Sequence, residues 1–598
     1  MSSQQLQQRG PWNPGIEQAL PDALLPRSTI FDPANVSASL KELRGLSDLC
    51  GLSIERLSTF RPERLALHEV LIKVMADLTV PDGKKYEDLG VNFRAMTATI
   101  FDKHIAPVMP QIRQAFEQMN QDAAAFIDSA QMQPPGTVQK SLALDGGRAR
   151  WWNPFGSGGK PAVRTAIASP ETADLATIAG WRKQGEATQQ PFEQACLRAL
   201  VTIADAIFAR RGRLLNDTSL MTALATRLVA NDYGSLLIGQ TIDPYFREAV
   251  LTEGYRLLPP KPHPVIMNVK GASASGKSTM RPLQKQLAGR LGVDWTDFAL
   301  ISPDIWRKHL LDYDTLGTAR IYAGTLTGHE IEIIDKKLDR YMARKAQDGR
   351  MSHLLIDRFR FDSFSERPDE SDGSRLLTRF GDEIYMFFMI TPPEATVERA
   401  WKRGEQFGRY KAVEDLLAHN VEAYSGIPGL FFTWVHKADK KVHFEFLDNS
   451  VAEGEKPATV AFGVNDQMNI LDLKCMFDID RYKNINIEAR SPQEVYPPQS
   501  RQRTGPPGEF LTQCVRQIPL INFANRKTGQ IYARIQNGKF TWWDREAFTQ
   551  AVTDPDARSA FEQLTQPPSG SGNDTRLKAG TEPAPLSQTQ GPTVGQWP

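Results

Sequence analysis

Gly271, Gly276, Lys277 and Ser278 stand in the spacing G-x-x-x-x-G-K-[ST], inside the run VIMNVKGASASGKSTMRPLQKQLAGRL. The small residues Gly271, Ala272, Ser273, Ala274, Ser275 and Gly276 let a backbone curl until successive N–H groups point at phosphate oxygens. The helix expected after them adds a favourable dipole for negative charge. Lys277 would then reach the β- and γ-phosphates, and Ser278 would offer its hydroxyl to Mg2+. A loop of this kind implies a nucleotide and leaves the reaction open.

Three further groups bear on which reaction it is. The apolar run FALIS ends directly in Pro303-Asp304. In a parallel sheet its carboxyl end lies beside the glycine-rich loop, so Asp304 would meet a substrate hydroxyl as general base, or serve as a helix N-cap. SHLLIDRF ends in Asp357, an apolar strand followed by a carboxylate that would hold Mg2+ or else simply face solvent. In TPPEATVERAWKRGEQFGR, Arg399 and Arg403 fall one helical turn apart and Arg409 follows a glycine. These guanidiniums would clamp phosphates and neutralise the charge that builds up during transfer. Glu398 and Lys402, also four apart, fit an ordinary charged helix surface as well.

The elements that must position these residues form an α/β core with a parallel sheet flanked by helices. Short apolar runs at Val265 to Val269, Phe298 to Ile301, His353 to Ile356, Ile384 to Ile390 and Val442 to Leu447 read as its strands, each far enough from the next for a crossover helix. A mostly helical region precedes them. Leu67, Val70, Leu71, Val74 and Met75, then Ile112, Phe116 and Met119, then Leu197, Leu200, Ile203, Ala204 and Ile207 recur at helical spacing as core stripes. The expected organisation is a disordered lead (1–33), a helical region (34–144), a Gly-rich hinge (145–171), a second helical region (172–256), the phosphate-loop domain (262–450), a small α+β region (451–565) and a disordered tail (566–598). The Pro-rich LLPPKPHP (257–264) marks the main boundary. A hairpin over Gln530 to Trp543, turning at Asn537-Gly538, precedes a helix near 546–564.

The chain of 598 residues carries 71 Lys+Arg against 70 Asp+Glu, a net charge of +1 that excludes a global polyelectrolyte partner. Nucleic acid is therefore not expected: RWW (150–152) and WWDRE (542–546) would be able to stack bases, but such tryptophans more often serve as packing residues. Cys50, Cys196, Cys475 and Cys514 lack metal or disulfide spacing and read as buried free thiols. No apolar run is long enough to span a bilayer, and the polar opening MSSQQLQQRG has no Sec-type core. The expected location is the cytoplasm, or a host cell reached by a specialised secretion system.

GASASGKST, SPDIWRKH, the strand ending in Asp357, and TPPE with its Arg-rich helix and FGR together resemble the zeta-toxin family of small-molecule kinases over residues 262–450. The resemblance implies a P-loop kinase core, with ATP and Mg2+ at Lys277 and Ser278 or Thr279, Asp304 as base, and Arg399, Arg403 and Arg409 in a lid. The interval from Ser278 to Asp304 is nearer to a branch of type III effectors that phosphorylates NAD on its adenosine ribose. The expected substrate is thus a small anionic, nucleotide-like metabolite, NAD or a UDP-amino sugar, with an antitoxin or chaperone protein as partner. The alternatives are a P-loop ATPase acting as a switch or motor and a 5′-hydroxyl polynucleotide kinase. HKAD (436–439) faintly resembles the guanine-reading element of GTPases.

Overall fold

The computed structural model describes residues 9–85, 87–132, 170–358, 377–497, 508–565, 583–588 and 591–597. Of the hinge expected at 145–171, residues 145–169, RWW among them, lie outside these, and Pro170 and Glu171 instead open helix Pro170–Ala187. The chain divides into two compact units, one of Met1–Thr29, Leu71–Ile100 and Ala249–Pro598, the other of Ile30–Val70 and Phe101–Glu248.

The second unit is helical, as its periodicity requires. Its long helices are Met109–Met132, Pro170–Ala187, Pro191–Arg211 and Thr218–Thr241. Ile112, Phe116, Met119, Leu197, Leu200, Ile203, Ala204 and Ile207 are buried as expected. Gly234 admits the Phe116 ring, which would lie 2.7 Å from any Cβ placed there. Helix Pro62–Asp77, whose part from Leu71 onward belongs to the other unit, reads as amphipathic but buries Ile72, Lys73 and Ala76 as well as Val70, Leu71, Val74 and Met75, while Leu67 is only partly buried.

The other unit is α/β, built on one ten-stranded sheet in the order β10-β9-β8-β7-β6-β5-β4-β1-β3-β2. The strands are β1 (Val265–Lys270), β2 (Phe298–Ile301), β3 (His353–Ile356), β4 (Glu383–Ile390), β5 (Lys441–Asp448), β6 (Ala458–Val464), β7 (Gln467–Ile470), β8 (Leu520–Ala524), β9 (Ile531–Gln536) and β10 (Lys539–Trp542). Strands β2 to β5 are mutually parallel, and β1, buried at every residue, reads as the continuous apolar run that a two-sided sheet demands. All five strands expected from the sequence are present within a residue at each end.

The expected separate region after 450 is instead continuous with this sheet. β6 pairs antiparallel with β5, and one apolar cluster runs from Ile384 through Phe431, Phe446 and Phe510 to Phe561. The hairpin turns at Asn537 and Gly538, both at positive φ, as read. The helix expected after it is broken into Arg545–Ala551 and Pro555–Thr565, because proline cannot continue a helix from within.

The Pro-rich segment is not a boundary either. Leu258 N donates to Asp77 O at 2.8 Å and Lys261 N to Met351 O at 2.6 Å, so the non-proline residues of the segment stitch it into the sheet unit.

Both expected disordered ends carry structure where they are described. In the lead, Trp12 packs against the apolar cluster that holds Val397 and Ala400, Leu24 against the one that holds Leu316, and Thr29 N donates to Leu326 O. In the tail, Leu586 and Trp597 join Phe462 and Ile531, and Val594 and Gly595 donate their N–H groups to buried Glu445. Composition missed both, because a few apolar anchors and backbone donors suffice to seat a polar segment. All four cysteines are free and buried. No described helix is long and apolar enough to cross a membrane.

Candidate functional site

The site forms at the carboxyl ends of β1, β3 and β2, which are neighbours in the sheet. The loop from Gly271 to Gly276 leaves β1 and enters a tight turn, Lys277–Met280, before helix Arg281–Arg290, whose first turn contains Pro282. Glycine is required at both ends of the loop. A Cβ at Gly271 would sit 2.8 Å from Met389 Cβ, and Gly276 has φ +94 with the Asn449 amide in the way of any side chain. Asn449 Nδ2 and Thr391 Oγ1 both donate to Ser275 O, at 2.8 and 3.1 Å, pinning the loop to the ends of β5 and β4. Ala274 is held at φ 60.

Lys277 Nζ folds back onto the loop's own carbonyls, 3.0 Å from Gly271 O and 2.8 Å from Ala272 O. Burial lowers its pKa, with Asp357 and Asp304 pulling the other way. Ser278 Oγ donates to Asp357 Oδ2 at 2.9 Å. Thr279 instead turns its hydroxyl to Gly276 O at 2.6 Å, so Ser278 is the hydroxyl aimed at the carboxylate. Asp357 N donates to Ile301 O, tying the end of β3 to the end of β2. A hydroxyl and a carboxylate are hard oxygen donors that suit Mg2+, which takes its remaining ligands from phosphates and water. Among the described residues, no group of three or more His, Cys, Asp and Glu converges as a metal site.

Asp304 lies just beyond β2 in the short turn Pro303–Trp306, where it makes no capping bond. Its carboxylate accepts from Arg307 Nε at 2.9 Å and from Arg409 Nη2 at 2.6 Å. Removal from water opposes its charge, but Arg409, Arg307 and Arg403 outweigh that and hold the carboxyl well below its usual range. Arg307 is itself fixed by Gly324 O at 2.6 Å and Thr327 Oγ1 at 2.9 Å.

The proposed arginine trio divides. Arg409 touches Asp304, and Arg403 lies within electrostatic reach of Lys277 and Asp304. Arg399 goes elsewhere: its Nη2 donates to Asn449 O at 2.7 Å and Val451 O at 3.2 Å, bracing the chain after β5. One helical turn, about 5.4 Å along the axis, separates the two reaches.

Behind the site, Arg358 is enclosed by helix Gly328–Gln347, donating to Asp335 Oδ1 at 2.9 Å and Asp339 Oδ1 at 2.7 Å. Lys270, at the end of β1, is fully buried near Arg358, Lys277 and Asp357, and burial drives its pKa well down. Arg307, Lys411, His419 and Asn449 are the site residues that motif reading passed over. The only sequence signals were Arg307 three residues after Asp304 and Lys411 two after Arg409.

Lys437 and Asp439 of HKAD precede β5, at the end of the sheet opposite the glycine-rich loop. Trp542 is a core residue packed on Phe548 and Phe561, not a base-stacking platform.

No family model, curated protein or solved structure matches the chain.

Proposed function

We propose that this chain is a P-loop phosphotransferase that moves the γ-phosphate of ATP to a hydroxyl of a nucleotide-like metabolite, NAD or a UDP-amino sugar. One observation carries the reading. A carboxylate at the end of β2, Asp304, is bonded to Arg307 and Arg409 and lies within electrostatic reach of Lys277 and Arg403. Base, lysine and guanidiniums face one another beside a loop whose glycines allow close approach of a phosphate.

Lys277 exchanges its own loop carbonyls for phosphate oxygens when nucleotide enters. Ser278 and Asp357 would hold Mg2+, which neutralises charge on the β- and γ-phosphate oxygens when bound. Asp304, paired with two arginines, is a weak base. As Arg409 turns to the phosphoryl oxygens, the carboxylate regains proton affinity and accepts the acceptor's hydroxyl proton. The hydroxyl oxygen bonds to the γ-phosphorus while the bond to the β-bridging oxygen breaks, and ADP leaves with that electron pair. The acceleration comes from positioning and charge neutralisation.

The resemblance to zeta toxins and their effector branch narrows the acceptor and points to a toxin or effector held by a small antitoxin or chaperone. The test is γ-labelled ATP with NAD, UDP-N-acetylglucosamine and 5′-hydroxyl RNA. Label is expected on one of the first two and lost in Asp304→Asn. Label on none, with Asp304→Asn leaving ATP turnover unchanged, overturns the reading; partner-stimulated hydrolysis without a phosphorylated product identifies a switch or motor, and labelled RNA a polynucleotide kinase.

A further inference from the structure

We propose that Lys411 is an anion-contacting residue of this site, held by His419 and handed to the phosphates of the bound nucleotide; the proposal rests on the phosphotransferase reading. Helix Pro393–Phe407 stops at Gly408, whose φ of +71 reverses the chain. Tyr410 then folds back: its ring occupies the space a Cβ on Gly404 would need and meets Trp401 edge-on at 5.4 Å. Arg409 and Lys411, on either side of Tyr410, reach other elements. Arg409 reaches Asp304 at 2.6 Å, and Lys411 Nζ contacts His419 Nδ1 on helix Val413–Val435.

The surroundings are cationic. Arg403 comes from helix Pro393–Phe407, and Arg307 and Asp304 from the chain after β2. Asp415 comes from helix Val413–Val435 and bonds Gln18, while Lys277 faces His419. Among these described groups, Lys277, Arg307, Arg403, Arg409 and Lys411 outnumber Asp304 and Asp415. A neutral imidazole accepts a hydrogen bond from the lysine without supplying a counter-charge, so nothing in the pair would cancel an ammonium formed beside the place a polyphosphate would occupy. Burial brings Lys411 down to about 7, against Asp415 pulling up and with Arg403 and Arg307 pushing further down. Burial and the nearby lysines take His419 to about 3, leaving it a neutral acceptor. An arriving anion restores the ammonium, and the proton comes from solvent.

Calorimetric titration of the full chain with MgATP near pH 8, in two buffers of different ionisation enthalpy, tests this. Wild type is expected to take up protons on binding, and its affinity to fall by up to about tenfold per pH unit above neutrality. Lys411→Met should bind at least about tenfold more weakly and without that uptake. Lys411→Arg should keep affinity but lose the slope, because its guanidinium stays charged. Wild-type binding without proton uptake, unchanged affinity in Lys411→Met, or a wild-type slope in Lys411→Arg overturns the proposal and leaves the phosphotransferase reading standing. No binding of MgATP by wild type removes both. The wild-type proton count needs no variant to fold.

Discussion

Arg409 Nη2 donates to Asp304 Oδ2 at 2.6 Å, joining residues 105 positions apart and closing the turn after helix Pro393–Phe407 onto the end of β2. The pair suppresses the basicity of the carboxylate, and under the proposed phosphotransfer it would station a guanidinium where phosphoryl charge develops. Replacing Arg409 by Gln should therefore lower phosphotransfer by about 100- to 1,000-fold. It should also move the acidic limb of the pH–rate profile upward, because Asp304 loses the largest influence holding its pKa down. Steady-state rates across pH check both, and an unshifted acidic limb would separate Arg409 from the ionisation of Asp304.

Gly276→Ala tests the loop. Its φ of +94 suits glycine alone, and a Cβ would strike the Asn449 amide. The backbone term alone costs about 1–2 kcal/mol. MgATP affinity should fall sharply. Adding Asn449→Ala should recover only part of it, since the collision is relieved but the backbone conformation is not; full recovery would show that crowding was the whole effect.

Arg358→Met should leave Asp335 and Asp339 charged and buried, their side chains only 4% and 6% exposed. Breaking such a pairing costs about 3–5 kcal/mol. Thermal melting should show the loss, and adding Asp335→Asn and Asp339→Asn should restore much of it. A single variant as stable as wild type would mean that the enclosure relaxes and admits water.

Glu445 accepts from Thr459 Oγ1 at 2.7 Å and from the N–H groups of Val594 and Gly595 at 2.8 and 3.0 Å, yet burial raises its pKa to about 7. A carboxyl whose folded pKa lies above its ordinary 4.5 stabilises the fold fully below that value and loses this stabilisation as pH rises through about 7. The component amounts to at most about 3 kcal/mol. Melting midpoints should therefore fall between about pH 5 and pH 8 in wild type, with a smaller fall in Glu445→Gln. Equal slopes would remove Glu445 as the source.

What was legible in the sequence was what lies in consecutive residues. The strands VIMNVK, FALI and HLLI announce themselves as apolar runs, and Gly271 to Ser278 act as one uninterrupted segment. The rest of the convergence was not legible. Arg307, Lys411 and His419 become neighbours only when the end of β2, a reversed turn and a long helix are brought together. Arg399 shared the helix face of Arg403, yet one turn of rise delivers it to Asn449 and Val451. The segments around Trp12 and Trp597 look featureless in composition because isolated tryptophans and backbone donors seat them. The end of the first sheet half was invisible too, since β6 simply adds to β5 by backbone pairing, which any sequence of suitable shape can do.

The unbroken run from β5 into β6 has a practical consequence for anyone cutting this protein down. A fragment ending near residue 450 would strip the partner strand from Lys441–Asp448, exposing a row of unpaired backbone groups and the apolar face around Phe444 and Phe446. Such a bare margin recruits other chains. Precipitation of the short form would then report a missing neighbour strand, not an inactive catalyst.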